Sequence, residues 1–182
     1  KLSNDFLILE NNKLRELINE TVQSEDVYAK VLVDKDSPYL KTIILNKGSK
    51  NNVKIGMAIV DNSYLVGKII EVNYTNSRAL LLSDLNSKIP VLLEPIDVHA
   101  VVSGTGKNYG VIEYTKDEYG QKIRGKEIIV YTSGYGGLFK SGLPVGTILA
   151  DNLNKESKVS FFSDFRQLDY VKIVSYDIGS NN

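Results

Sequence analysis

From residue 27 onward, apolar side chains come in short runs that alternate with polar ones. Each run is closed by Asn, Asp, Ser, Gly or Pro. The first series covers residues 27–33, 40–45, 58–60, 64–72, 78–82 and 89–93. The second covers residues 99–103, 109–114, 127–131, 145–150, 158–162 and 170–175. Runs of strand length at regular spacing, separated by turn residues, predict the short strands of an all-β sandwich or barrel. No helical period lies between them, which excludes a parallel α/β sheet. About twelve strands exceed one small barrel, so the pattern predicts two small β-domains. Glu94-Pro95-Ile96-Asp97 reads as the break, giving domains over residues 27–95 and 96–176 and a frayed tail over 177–182. Whether the last strand, 170–175, belongs to the second domain or returns to the first stays open. Asp34-Lys-Asp-Ser-Pro38 reads as a turn, with Asp34 and Asp36 solvated beside Lys35.

The first 26 residues follow a different rule. Residues 3–24 contain no Gly or Pro and predict a helix that Ser3 or Asn4 could cap. With Asn4, Asn11 and Ile18 at heptad position a, Leu7, Leu14 and Thr21 fall at d. Leu at d with Asn at a is the pattern of a parallel two-stranded coiled coil, where a buried Asn fixes register. Residues 1–26 are therefore expected to be a dimerisation helix. The competing reading is an amphipathic helix laid on its own domain, with Phe6, Leu9, Leu17 and Ile18 facing inward.

Composition narrows the chemistry. Acidic and basic side chains number 22 each among 182 residues, so the net charge is zero. That lacks the phosphate attraction of a nucleic-acid binder. With no cysteine and one histidine, thiolate nucleophiles, cysteine-based metal sites and multi-histidine metal sites are excluded. No apolar run reaches the ~20 residues that span a bilayer. The chain opens on Lys1, in mid-pattern, and is expected to be part of a longer protein, which leaves room for an anchor before it.

The densest candidate for chemistry is the stretch 132–148, which holds five of the fourteen glycines. It reads as a phosphate cradle, a nucleophile loop or a structural corner between two strands. Gly120-Gln-Lys-Ile-Arg-Gly125-Lys126-Glu127 approaches a phosphate-binding loop. Glu127, however, stands where a Ser or Thr hydroxyl would meet magnesium, and a strand follows where a helix is needed. Gly104-Thr-Gly106-Lys-Asn-Tyr-Gly110 approaches a dinucleotide fingerprint with the same defect. His99 could act as a base toward Ser103 or Ser133, but it sits inside an apolar strand, and a lone histidine there is more often structural. Asp117 and Glu118 read as solvated turn residues, and the sequon Asn73-Tyr-Thr75 means little without a secretory context. What remains is an interaction protein. It has eleven tyrosines, a residue type favoured at interfaces, and Tyr135, Leu138 and Phe139 are expected to project from the corner toward a partner.

The chain resembles the MreC family of rod shape-determining proteins along nearly all its length. Glu10-Asn-Asn-Lys-Leu14-Arg-Glu-Leu17 is similar to the end of that family's coiled coil. Ala29-Lys-Val-Leu-Val33, Ile44-Leu-Asn-Lys-Gly48-Ser, Val53-Lys-Ile-Gly56-Met57 and Leu65-Val-Gly67-Lys resemble its successive early blocks. Ser77-Arg-Ala-Leu-Leu-Leu82 and Ile89-Pro90-Val91 continue the order. The most specific match is Tyr131-Thr-Ser-Gly134 with Gly137-Leu-Phe139 and Gly142-Leu-Pro-Val-Gly146; Ser160-Phe-Phe-Ser-Asp164-Phe with Leu168-Asp-Tyr-Val171 closes it. Lys140 departs from the proline more usual there. The resemblance implies a mainly β protein: a coiled-coil helix, then two small antiparallel β-barrels, the second chymotrypsin-like but without a proteolytic triad. It further implies a non-catalytic scaffold without cofactors, on the extracytoplasmic side of the cytoplasmic membrane and anchored by an N-terminal transmembrane helix. The implied partners are a class B penicillin-binding transpeptidase, the elongation glycosyltransferase, MreD, MreB and a second copy of the chain. A periplasmic serine hydrolase and a glycan-binding module are the competing functions.

Overall fold

The computed structural model describes residues 26–36, 41–115, 127–148 and 157–174. Within them, twelve strands close into two six-stranded barrels. The first contains β1 (Val27–Asp36), β2 (Lys41–Leu45), β3 (Ala58–Asp61), β4 (Tyr64–Val72), β5 (Ser77–Leu81) and β12 (Tyr170–Val174), in the ring order β1-β12-β3-β4-β5-β2. The second contains β6 (Lys88–Glu94), β7 (Val98–Gly104), β8 (Tyr109–Thr115), β9 (Ile128–Thr132), β10 (Pro144–Ile148) and β11 (Lys158–Phe161), in the ring order β10-β11-β8-β7-β6-β9. All the pairings are antiparallel. Each of the twelve apolar runs coincides with one of these strands. The helix expected over residues 1–26, with Asn4, Leu7, Asn11, Leu14 and Ile18, lies outside the described residues, as does the tail. Among the described residues no helix is long and apolar enough to cross a membrane.

In the clearest strands, alternate residues fill the barrel. In β6, Ile89, Val91 and Leu93 are buried while Pro90 and Leu92 between them are half-exposed. In β9, Ile128 and Val130 point inward, and Thr132 occupies the next inward position. Burying each large aliphatic side chain contributes about 1.5–3 kcal/mol. The buried residues of both barrels form one continuous apolar cluster. The connector from β11 to β12 carries Phe165 into it, edge-on to Phe161 at 5.6 Å. The same connector ties the barrels together: Ser163 Oγ donates to the Leu65 carbonyl at 3.1 Å, and the Phe162 ring stacks on Tyr64 at 5.0 Å.

Two expectations are corrected. Residues 94–97 do not divide the domains. They form the β6–β7 hairpin, with a cis Glu94–Pro95 bond and Asp97 at φ 53°, and β6 pairs with β7 and β9 inside the second barrel. The chain changes barrels earlier, over residues 82–87, in a turn that exposes Leu85 and Asn86 but buries its other residues. The Asp84 side chain is fully buried there; its carboxylate accepts N–H groups from Lys41 and Asn86, each at 2.7 Å. An exposed proline-containing linker is the usual signature of a boundary; here a buried carboxylate that binds backbone from both sides replaces it. The second correction concerns Asp34–Asp36. These residues continue β1 and pair with Ile43, Thr42 and Lys41 of β2. The long hairpin ladder, with a bulge between Val31 and Val33, overrides the local turn preference of Asp. Finally, β12 sits between β1 and β3, so the last strand returns to the first barrel.

Candidate functional site: the corner of the second barrel

Thr132 organises the corner between β9 and β10. Its place on the inward face buries its hydroxyl, and a buried hydroxyl needs partners. Oγ1 donates to the Lys140 carbonyl at 2.5 Å and accepts the Leu143 N–H at 2.9 Å. The Thr132 backbone N–H donates to the Leu143 carbonyl, and its own carbonyl accepts the Gly142 N–H, both at 2.9 Å. One residue thereby staples both limbs of the loop. Between the limbs the chain makes a 3-10 turn over Tyr135–Gly137, with Gly134, Gly136, Gly137 and Gly142 all at φ between 66° and 85°. Such φ values suit glycine, so the glycine density has a geometric cause.

The loop sorts the three residues expected to project outward. Tyr135 and Leu138 do, at 68% and 46% exposure. Phe139 does not: at 3% exposure it belongs to the core, because the chain doubles back after Leu138 toward the Thr132 staple. Leu138 lines a cleft shared with the other barrel, whose lining residues the sequence left unmarked. Residues 54–58 and Val174 of the first barrel and residues 137–140 of the second line a shared cleft of about 310 Å³. Ile55 stands at its edge, 69% exposed. An isoleucine held in a turn between Lys54 and Gly56, outside any strand, was the available signal. Lys54 and Lys140 are the charged residues that line the cleft.

The catalytic alternatives do not assemble. The Ser133 hydroxyl accepts the Tyr135 N–H at 3.2 Å, and the exposed His99 ring lies 6.3 Å from the Tyr135 ring. Among the described residues no hydrogen bond joins His99 to Ser133 or to Ser103, and Ser103 is buried in β7. Residues 104–110 connect two strands, not a strand and a helix. Gly104 packs where a Cβ would lie 2.0 Å from the Asp84 carbonyl oxygen, so its role is packing. The loop over residues 120–126 lies outside the described residues. Among the described residues no three His, Asp or Glu side chains group as metal ligands.

Two closed six-stranded barrels thus meet along a shared cleft that carries exposed apolar side chains at Ile55 and Leu138. The rod shape-determining MreC barrel-core profile matches residues 31–175. The cell shape-determining protein MreC of Haemophilus influenzae is 33% identical over 147 residues, covering 79% of this chain and 41% of that protein. The chain thus spans less than half the length of this curated relative. A solved "major periplasmic domain from the cell shape-determining filament MreC" superposes with a TM-score of 0.73 at 19% identity, covering 87% of this chain and 99% of that one. MreC from Helicobacter pylori, solved in complex with the penicillin-binding protein PBP2, gives a TM-score of 0.59 at 14% identity, covering 84% and 99%. This chain belongs to the MreC family of rod shape-determining proteins. Proteins of that family are named for a structural role in cell shape and not for a catalysed reaction.

Proposed function

We propose that this chain is the extracytoplasmic scaffold region of a cell-elongation complex, which organises and activates peptidoglycan synthases and so maintains rod shape. The observation that carries the reading is the pairing of family membership with the Ile55–Leu138 cleft. MreC from Helicobacter pylori, which shares the fold, occurs in complex with the penicillin-binding protein PBP2, and a class B transpeptidase is the partner this reading gives the chain. The partner surface is Tyr135 and Leu138 together with Ile55, and Phe139 supports it from inside. The elongation glycosyltransferase belongs to the same assembly, while MreD and MreB are reached through sequence preceding residue 1, including a transmembrane anchor. Placement on the periplasmic side follows the naming of a similar domain as periplasmic. Residues 1–26 pair with a second copy of the chain through Leu7, Leu14 and Ile18, with Asn4 and Asn11 setting register. The second barrel is of the chymotrypsin-like type but serves as a contact surface.

The test is calorimetric titration of the chain with a transpeptidase ectodomain. Ile55→Ser and Leu138→Ser each weaken binding roughly tenfold or more, as exposed anchors of an interface do, and leave the unfolding transition in place. Wild-type affinity in both variants, with folding intact, would move the contact away from this cleft. Phe139→Ser is the contrasting case: it costs about 3–5 kcal/mol of stability because it empties a core position.

A further inference from the structure

The first barrel carries a second groove that the scaffold reading does not use. β1 and β12 pair with Tyr28 opposite Lys172 and Lys30 opposite Tyr170. Residues directly opposite, or two apart along a strand, share one face of a sheet. The two tyrosines are therefore diagonal neighbours on the outer surface, ~7–8 Å apart. Both rings stand in solvent, at 70% and 62% exposure. Beside them the β3–β4 hairpin turns through Asn62 and Ser63, closed by the Asp61–Tyr64 pair. Between tyrosines and turn lies a groove of about 340 Å³ floored by the buried Val60. That volume is within the ~300–1,000 Å³ of small-ligand sites.

Two features of the lining select the ligand class. The first is charge. The charged residues that line the groove are Asp61 and Lys172, one of each sign, and the Lys172 ammonium is already paired with Asp26 at 3.1 Å. Nothing there favours a phosphate, a sulfate or a polycation. The groove offers instead two aromatic faces among a hydroxyl, an amide and a carboxylate. The second feature is the turn. Asn62 and Ser63 both have positive φ, 48° and 76°. A two-residue hairpin turn of this kind favours Asn first and Gly second. Asn62 conforms. Ser63 holds a side chain where glycine would sit without strain, and its hydroxyl stands at the rim of the groove. We propose that this groove binds a neutral saccharide. The tyrosine rings receive the C–H faces of the sugar rings, and Asn62, Ser63 and Asp61 exchange hydrogen bonds with its hydroxyl and acetamido groups.

The experiment titrates the ¹⁵N-labelled chain with chitotetraose. Saturable shifts centre on the backbone amides of Asn62, Ser63 and Lys172, with a Kd on the order of 1 mM. Tyr28→Ala and Tyr170→Ala each weaken binding about tenfold. Tyr74→Ala, which removes an equally exposed tyrosine elsewhere, leaves it unchanged. Ser63→Gly raises the Tm and still weakens binding, so loss of affinity in that variant is not loss of fold. Absence of saturable shifts overturns the proposal, as do shifts that survive both tyrosine substitutions. Tyrosine variants that change the sedimentation of the chain, with no effect of the saccharide, would instead assign this face to contact between copies. Neither Ile55 nor Leu138 lines this groove, so the result is independent of transpeptidase binding.

Discussion

Thr132 shows how one hydroxyl can hold a loop. Thr132→Val keeps the shape and the β-branched preference of the strand but removes both side-chain hydrogen bonds, leaving the Leu143 N–H and the Lys140 carbonyl without them. The expected loss is about 1–3 kcal/mol, the cost of buried groups left unsatisfied. Urea unfolding should show a lower midpoint at unchanged slope, with Thr132→Ser close to wild type. Glu113 is a surface example with the opposite weight. Its carboxylate accepts a hydrogen bond from the Lys88 ammonium at 2.9 Å, which holds its pKa below the ordinary value of 4.5. A carboxyl with a depressed folded-state pKa adds stability that is fully present above the ordinary value and is lost as pH falls through the folded one. The stability difference between wild type and Lys88→Met should therefore be flat above pH 4.5 and shrink below it, and NMR titration should show the Glu113 pKa rising in that variant. At this scale sequence reading had uneven success. Tyr135 and Leu138 were legible as exposed loop residues. Phe139 was not, because its direction depends on a reversal after Leu138 that only the bonded loop reveals.

At the scale of elements, short apolar runs bounded by turn residues located the twelve strands, because a short strand must be closed by a residue that turns the chain. This patterning failed where backbone approach, not side-chain polarity, sets the outcome. Gly146 illustrates this. It sits in β10 against β11, where a Cβ would lie 2.2 Å from the Ser160 carbonyl oxygen. Gly146→Ala must push the two strands apart and is expected to cost about 1–3 kcal/mol or more, as overpacking does. Thermal unfolding of this variant beside Gly136→Ala separates two kinds of glycine: the latter has open space around its Cβ but a φ of 74°. The sequence marked both simply as glycines of one corner. The 94–97 hairpin was mistaken for a linker for a related reason. Pro95 and Asp97 signal a turn equally well inside a domain and between domains, and only strand pairing tells the two apart.

At the scale of the molecule, the first barrel is not continuous in sequence. Its sixth strand arrives after the whole second barrel has been traced, and fills the gap between β1 and β3. A chain ending at residue 169 leaves two open edges in the first barrel while all six strands of the second remain. Hydrogen exchange should then show loss of protection in β1 and β3 and retention in β6 and β9. Unchanged protection in β1 would mean that β12 is dispensable. The return of β12 also places Val174 in the cleft beside residues 137–140, so the shared apolar surface depends on the same closure.

The sequence by itself determined the class and order of the elements, the absence of thiol and multi-histidine chemistry, and the family. The elements and the chemistry follow from local patterning and residue types, and the family from a resemblance carried by ordered motif blocks; none of these needs knowledge of distant neighbours. Tertiary structure alone decided which strands share a barrel, where the chain crosses between barrels, that Phe139 points inward, and that Ile55 and Leu138 line one cleft. Each of these depends on residues far apart in the chain, brought together by ring closure and by the pairing of buried polar groups such as Thr132 and Asp84. In particular, the 132–148 corner owes four of its glycines to left-handed backbone positions and the fifth, Gly146, to the close approach of β11, and one buried hydroxyl ties its limbs together.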